Sequence, residues 1–157
     1  MSRFSVIPAS YVFLRSDEGV LLQLRQNTGY MDGMWSAGAA GHVEPGETAT
    51  RAAAREVAEE LGIAIAQDDF DPICVLQRTD GTDDPIEQRV EWFFTCTAWT
   101  GEPTIQEPEK CAELRWFALD ALPSNMPPHE RHALDWLREH DGIGILSLGF
   151  ANEVVGA

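Results

Sequence analysis

Glu56, Glu59 and Glu60 stand at relative positions 0, 3 and 4 in the run Arg55-Glu56-Val57-Ala58-Glu59-Glu60. At about 100° per residue, a helix over this run gathers all three carboxylates onto one stripe. Like charges at these spacings destabilise a helix by roughly 0.2–0.5 kcal/mol per pair, so the cluster calls for a counter-charge. A hard divalent cation is a suitable one. Carboxylate oxygens are the protein ligands Mg²⁺ prefers, and Mg²⁺ keeps waters and a substrate phosphate as its remaining ligands. The ordinary alternative is a solvated acidic face, and the residues upstream reverse that judgement.

Gly41, Glu47, Arg55, Glu56, Val57, Glu59, Glu60, Gly62 and Ile63 fit the pattern G-x5-E-x7-R-E-U-x-E-E-x-G-U at every defined position, U being a bulky aliphatic residue. In this the chain resembles the Nudix hydrolases. The resemblance implies an α+β domain, an αβα sandwich with a mixed β-sheet, in which a loop–helix–loop binds divalent metal. It also implies a pyrophosphohydrolase acting on phosphorus-containing acid anhydrides, with Mg²⁺ as cofactor and Mn²⁺ as a possible substitute. Carried over by position, Glu56, Glu59 and Glu60 hold metal and activate water, and Arg55 joins them in the catalytic set. Glu56 and Glu60 are the expected direct ligands, while Glu59 is either a further ligand or the group that orients water. Local spacing agrees with this arrangement. Glu47 lies just before the helix and Arg55 two turns in, so a charge-assisted pair between them would pin loop to helix. Gly41 permits close backbone approach, where a loop carbonyl can serve as a metal ligand.

Glu107 and Glu109, in a loop before Leu114, are candidates for a general base, a solvated loop being the alternative for each. Trp35 and Phe93 are candidates for stacking a nucleobase, with core packing the alternative for Trp35. Arg25 ends a strand that borders the expected pocket and is placed to meet a phosphate. Glu91 is assigned either to the pocket or to solvent. Two rivals remain: a catalytically silent nucleotide-sensing module, against which the intact acidic set argues, and an isopentenyl-diphosphate-isomerase-like enzyme. The segment Trp35-Ser36-Ala37-Gly38-Ala39-Ala40-Gly41-His42 departs from the Trp…Pro-Gly-Gly link of many Nudix chains and is of a length found in that isomerase branch. Against the isomerase, there is no Cys between Met1 and Asp71, and His42 is the only nearby imidazole.

The elements that must position these groups follow from pattern. Residues 9–15 and 20–25 read as a hairpin about Asp17-Glu18-Gly19, and residues 26–34 as a loop. From 48 to 61 the chain is rich in helix formers, with Thr48 as N-cap and Gly62 as the left-handed stop. Ala53, Val57, Leu61 and Ile63 would pack this helix on the core. Residues 73–79 and 88–100 read as strands, the second long and twisted or bulged, and 114–118 as a short strand. Residues 119–122 read as a turn of helix, 128–140 as a terminal helix with Ala133, Trp136 and Leu137 on one face, and 144–150 as a last strand.

The 157 residues suit a single domain, residues 1–157. A formal charge of −15, from 11 Lys plus Arg against 26 Asp plus Glu, argues against a polymeric nucleic-acid partner. A small anionic nucleotide remains suitable, since bound cations invert the field of an acidic pocket. Cys74, Cys96 and Cys111 are too few and scattered for a disulfide framework or zinc site and read as buried thiols. No apolar run reaches bilayer length and the first residues lack a signal-peptide pattern, so no membrane association and a cytoplasmic location are expected; a homodimer is left open.

Overall fold

The structure, a computed structural model, describes residues 2–151; position 1 and positions 152–157 of the expected domain lie outside the described residues. The chain order is β1 (Ile7–Ser16), β2 (Gly19–Arg25), β3 (Trp35–Ala37), β4 (Ala39–His42), α1 (Ala49–Leu61), β5 (Asp71–Arg78), β6 (Arg89–Cys96), β7 (Cys111–Phe117), α2 (Pro128–Glu139) and β8 (Gly144–Leu148).

β1 is the organising strand. Its residues 8–14 are apolar apart from Ser10 and come to lie between two buried layers. Ala9, Tyr11 and Phe13 face the core beneath α2, whereas Val12 and Leu14 face the core beneath α1. That alternation is the period-2 geometry of a strand covered on both faces. β1 runs parallel to β6 and antiparallel to β4, and only its last residues, Arg15 and Ser16, pair with β2. β5 pairs antiparallel with β6 and parallel with β8, giving a mixed sheet with α1 on one face and α2 on the other. The fold is the expected α+β αβα sandwich.

The first helix begins and ends where local chemistry requires. Thr48 accepts a hydrogen bond from the Arg51 N–H, and Gly62 takes φ 68° while its N–H returns to the Ala58 carbonyl. Ala53, Val57 and Leu61 are buried against β1, as their spacing predicts. Three expectations need correction. β6 ends at Cys96 instead of reaching Thr100, which leaves the sheet to pair with Ala64. The irregularity of this strand pair lies in β5, between Pro72 and Cys74, because proline cannot donate to the ladder. Residues 119–122 form a turn closed by Ala121 N–H to the Ala118 carbonyl, with no helix.

Candidate active site

The upstream loop is fastened to α1 by one guanidinium. Arg55 donates from Nε to Glu47 Oε2 at 2.8 Å and from Nη2 to Glu47 Oε1 at 2.9 Å, the two-point pair that the spacing predicts. The same Nη2 reaches the His42 carbonyl at 3.0 Å, tying β4 to the helix. Nη1 reaches Glu56 Oε1 at 2.7 Å and Glu59 Oε2 at 3.4 Å. The hydrogen bonds from Arg55, then the Glu44 N–H, hold the Glu47 carboxyl down at about 2. Arg55 thus supplies part of the counter-charge the acidic stripe requires and ties the loop to the helix.

Glu56 and Glu60 project from α1 toward β4. Glu60 Oε2 accepts the Ala40 N–H at 2.8 Å. Burial first, then the charges of Glu56 and Glu107, pushes the Glu60 carboxyl up to about 8, and burial likewise raises that of Glu56. Gly41 lies directly against Glu56, where a Cβ would fall within 2.1 Å of Oε1. Glycine is therefore the residue that leaves this carboxylate its place.

Glu56, Glu59, Glu60 and Glu107 line one cavity of about 390 Å³, whose other walls include Gln23, Arg25 and Lys110. Among the described residues no group of three or more His, Cys, Asp or Glu side chains stands in a metal-holding arrangement. The pair Glu56 and Glu60 nonetheless suits Mg²⁺, which commonly takes one or two carboxylates and completes its shell with water and substrate phosphate. The hard oxygen donors, the space left by Gly41 and the electrostatic cost of two adjacent half-buried carboxyls all fit such a cation.

The other expected residues divide. Arg25 lines this cavity and the neighbouring one, its Nε donating to the Tyr30 carbonyl at 3.0 Å. Glu107 reaches the cavity, but Glu109 is exposed outside it and its carbonyl accepts from Asn27 Nδ2 at 3.1 Å. Phe93 is fully buried and stacked on Tyr11, with ring centroids 4.6 Å apart, so it is core and not cavity wall. Trp35 is also buried, edge-on to Phe117 and covered by the Arg115 guanidinium. Glu91 is neither in the pocket nor in solvent. Its carboxylate is fully buried, accepting from Arg78 Nε at 2.5 Å and from the Tyr11 hydroxyl. The alternation along β6 is the reverse of the one its composition suggests: Arg89, Glu91 and Phe93 are buried, Val90 and Trp92 half-buried.

A second cavity of about 430 Å³ adjoins the first through Arg25, Thr28 and Ala40. Its inner wall is formed by the start of α2, where His129 and Glu130 are buried with Ala133 and Leu134. Glu130 Oε1 accepts the Ala37 N–H at 2.6 Å, and burial pushes its carboxyl up to about 8. Burial, together with Arg78, Arg89 and Arg25, holds His129 well below its usual range, hence neutral. Residues 129, 130, 133 and 134 follow helical spacing, a signal in the sequence that the expected face of Ala133, Trp136 and Leu137 passed over. Trp136 and Leu137 are only half-buried.

A three-layer sandwich with a glycine-cradled pair of acids at the mouth of its loop–helix–loop is the arrangement that the nine-position signature implies. Comparison with known proteins agrees. The family model described as NUDIX domain matches residues 6–137. A solved MutT NUDIX hydrolase from Burkholderia pseudomallei superposes with TM-score 0.76 at 30% identity, covering 85% of this chain and 99% of that one. An isopentenyl-diphosphate Delta-isomerase of Cereibacter sphaeroides is 33% identical over 128 residues, 81% of this chain and 72% of the relative. The NAD-capped RNA hydrolase NudC of Escherichia coli is 32% identical over 123 residues, and the chain spans only 43% of its length. The chain belongs to the Nudix family and is an enzyme of its pyrophosphohydrolase class. No described helix is long and apolar enough to cross a membrane.

Proposed function

We propose that this enzyme uses water to split the diphosphate linkage of a nucleoside diphosphate derivative or a nucleoside triphosphate, in a Mg²⁺-dependent reaction. The observation that carries the reading is the convergence of Glu56 and Glu60 on one cavity that Arg25 and Lys110 also reach. Glu56 and Glu60, with the Gly41 carbonyl, would hold the cation, and Glu59 would be a further ligand or water-orienting group. Mg²⁺, or Mn²⁺ in its place, supplies charge neutralisation and a more acidic water when bound. Arg25 and Lys110 draw the diphosphate into a site that would otherwise repel it. The water oxygen bonds to one phosphorus, the bridging P–O bond breaks, and the two phosphate products separate. The proton released from water passes to a carboxylate, for which Glu59 and Glu107 are the two candidates at the cavity. The small, partly enclosed site and the net charge of −15 favour a free nucleotide over a polymer.

The identity to the isomerase supports a second reading, in which a diphosphate ester is rearranged without water. Of the three thiols only Cys111 reaches the cavity, and burial raises its pKa, which leaves it a poor source of thiolate. Turnover in ¹⁸O-labelled water separates the two. Hydrolysis places one labelled oxygen on a phosphate product, whereas turnover of a diphosphate compound with no label in any product would overturn the hydrolase reading.

A further inference from the structure

The second cavity carries more positive charge than its own residues neutralise. Arg89 is 6% exposed and lines it, yet its hydrogen-bond partners are neutral: Nε donates to the Ile86 carbonyl at 2.5 Å, and Nη1 lies 3.2 Å from His42 Nε2. Arg25 stands on the wall shared with the first cavity, its guanidinium bonded to the Tyr30 carbonyl and the Thr28 hydroxyl. Among the described residues neither arginine forms an ion pair. Glu91, on the same face of β6 as Arg89, is committed to Arg78 and Tyr11. A buried guanidinium without an acidic partner is costly, and in a chain with 26 acidic residues its isolation points to a partner from outside.

The backbone supplies an independent reason. α2 is 12 residues long and starts at this cavity, where Pro127, His129 and Glu130 form the wall, and no side chain caps its N-terminus. Uncapped N–H groups and the positive end of the helix dipole favour a bound anion. Glu130, the one acid in that first turn, is turned to the Ala37 N–H.

We propose that the second cavity is a phosphate subsite, in which Arg89, Arg25 and the start of α2 hold a substrate phosphate beyond the diphosphate at Glu56 and Glu60. This rests on the hydrolase reading of the first cavity and adds a substrate class: nucleotides that carry a phosphate monoester on the ribose.

The test compares NAD⁺ with NADP⁺, which differ by the ribose phosphate alone. In wild type we expect kcat/KM to be at least tenfold higher for NADP⁺ than for NAD⁺, through KM. Arg89→Gln should bring that ratio close to one, and Arg89→Lys should restore part of it. Calorimetric titration of the same compounds in chelator, where no metal-dependent turnover occurs, should give the same ranking of Kd. Hydrolysis of both compounds with a ratio below tenfold overturns the subsite and leaves the hydrolase reading standing. Loss of hydrolysis altogether overturns the hydrolase reading, and the chelator titration still decides the subsite. If Arg89→Gln does not fold, the wild-type ratio and Arg89→Lys decide alone.

Discussion

Gly41 and Glu56 occupy the same space to within one carbon atom: a Cβ at position 41 would lie 2.1 Å from Oε1 and 2.2 Å from Cδ of Glu56. The obstructing atoms are the end of a flexible side chain, so Gly41→Ala should fold normally and displace the carboxylate. We expect a fall in kcat/KM of about a hundredfold, on the scale of losing one preorganised electrostatic group. Metal affinity should fall in parallel, while the chelator Tm stays within a few degrees of wild type. Unchanged activity in Gly41→Ala would show that the position of Glu56 is immaterial to the chemistry.

Glu60→Gln keeps an oxygen able to accept the Ala40 N–H. It should therefore fold, and lose about two decades or more in kcat. Near-normal turnover by the folded variant would remove Glu60 from the ligand set. In the same assay Glu107→Gln should cost more than Glu109→Gln, because only Glu107 reaches the cavity.

Mg²⁺ should raise the melting temperature in a dose-dependent way. A ligand that binds only the folded state stabilises it by RT ln(1 + [L]/Kd), about 2.7 kcal/mol at a hundredfold excess over Kd. Glu60→Gln should respond less than wild type, and Glu59→Gln, whose side chain is half exposed and leans on Arg55, should lose less of the response. Monovalent salt at matched ionic strength separates binding from screening. Identical responses from all three proteins would return the stripe to a solvated face.

Glu130 and His129 should limit stability from opposite sides of neutrality. The Glu130 carboxyl is raised in the folded protein from 4.5 to about 8, so the folded state holds its proton more tightly than the unfolded chain. Its stabilisation is full below about pH 4.5 and is lost as pH rises through about 8. The complete burial of Glu130 makes this loss on the order of a few kcal/mol. His129 is depressed, so its contribution is present above its unfolded pKa and lost as pH falls. Glu130→Gln should flatten the alkaline decline of Tm and leave the acid limb in place. An unchanged alkaline limb would mean that Glu130 titrates normally.

The residues of α1 determined much by themselves. Thr48 as cap, Gly62 as stop, the Glu56/Glu59/Glu60 stripe, the Glu47–Arg55 pair and the apolar face of Ala53, Val57 and Leu61 are relations within about fifteen residues, where helical geometry converts spacing into position. The nine-position signature spans only 23 residues and so was equally legible. Only the tertiary structure decided which buried strand residues meet a cavity. In a sheet covered on both faces, alternation does not say which face is which, and so Phe93 and Trp35 proved to be core and Glu91 the fully buried partner of Arg78 and Tyr11. The second cavity draws Arg25 from β2, His42 from β4, Arg89 from β6 and His129 from α2, and the Ala37–Glu130 bond beside it joins residues 93 positions apart. No local pattern encodes that meeting, because it depends on how far β1 carries β4 and β6 past one another before α2 closes over them.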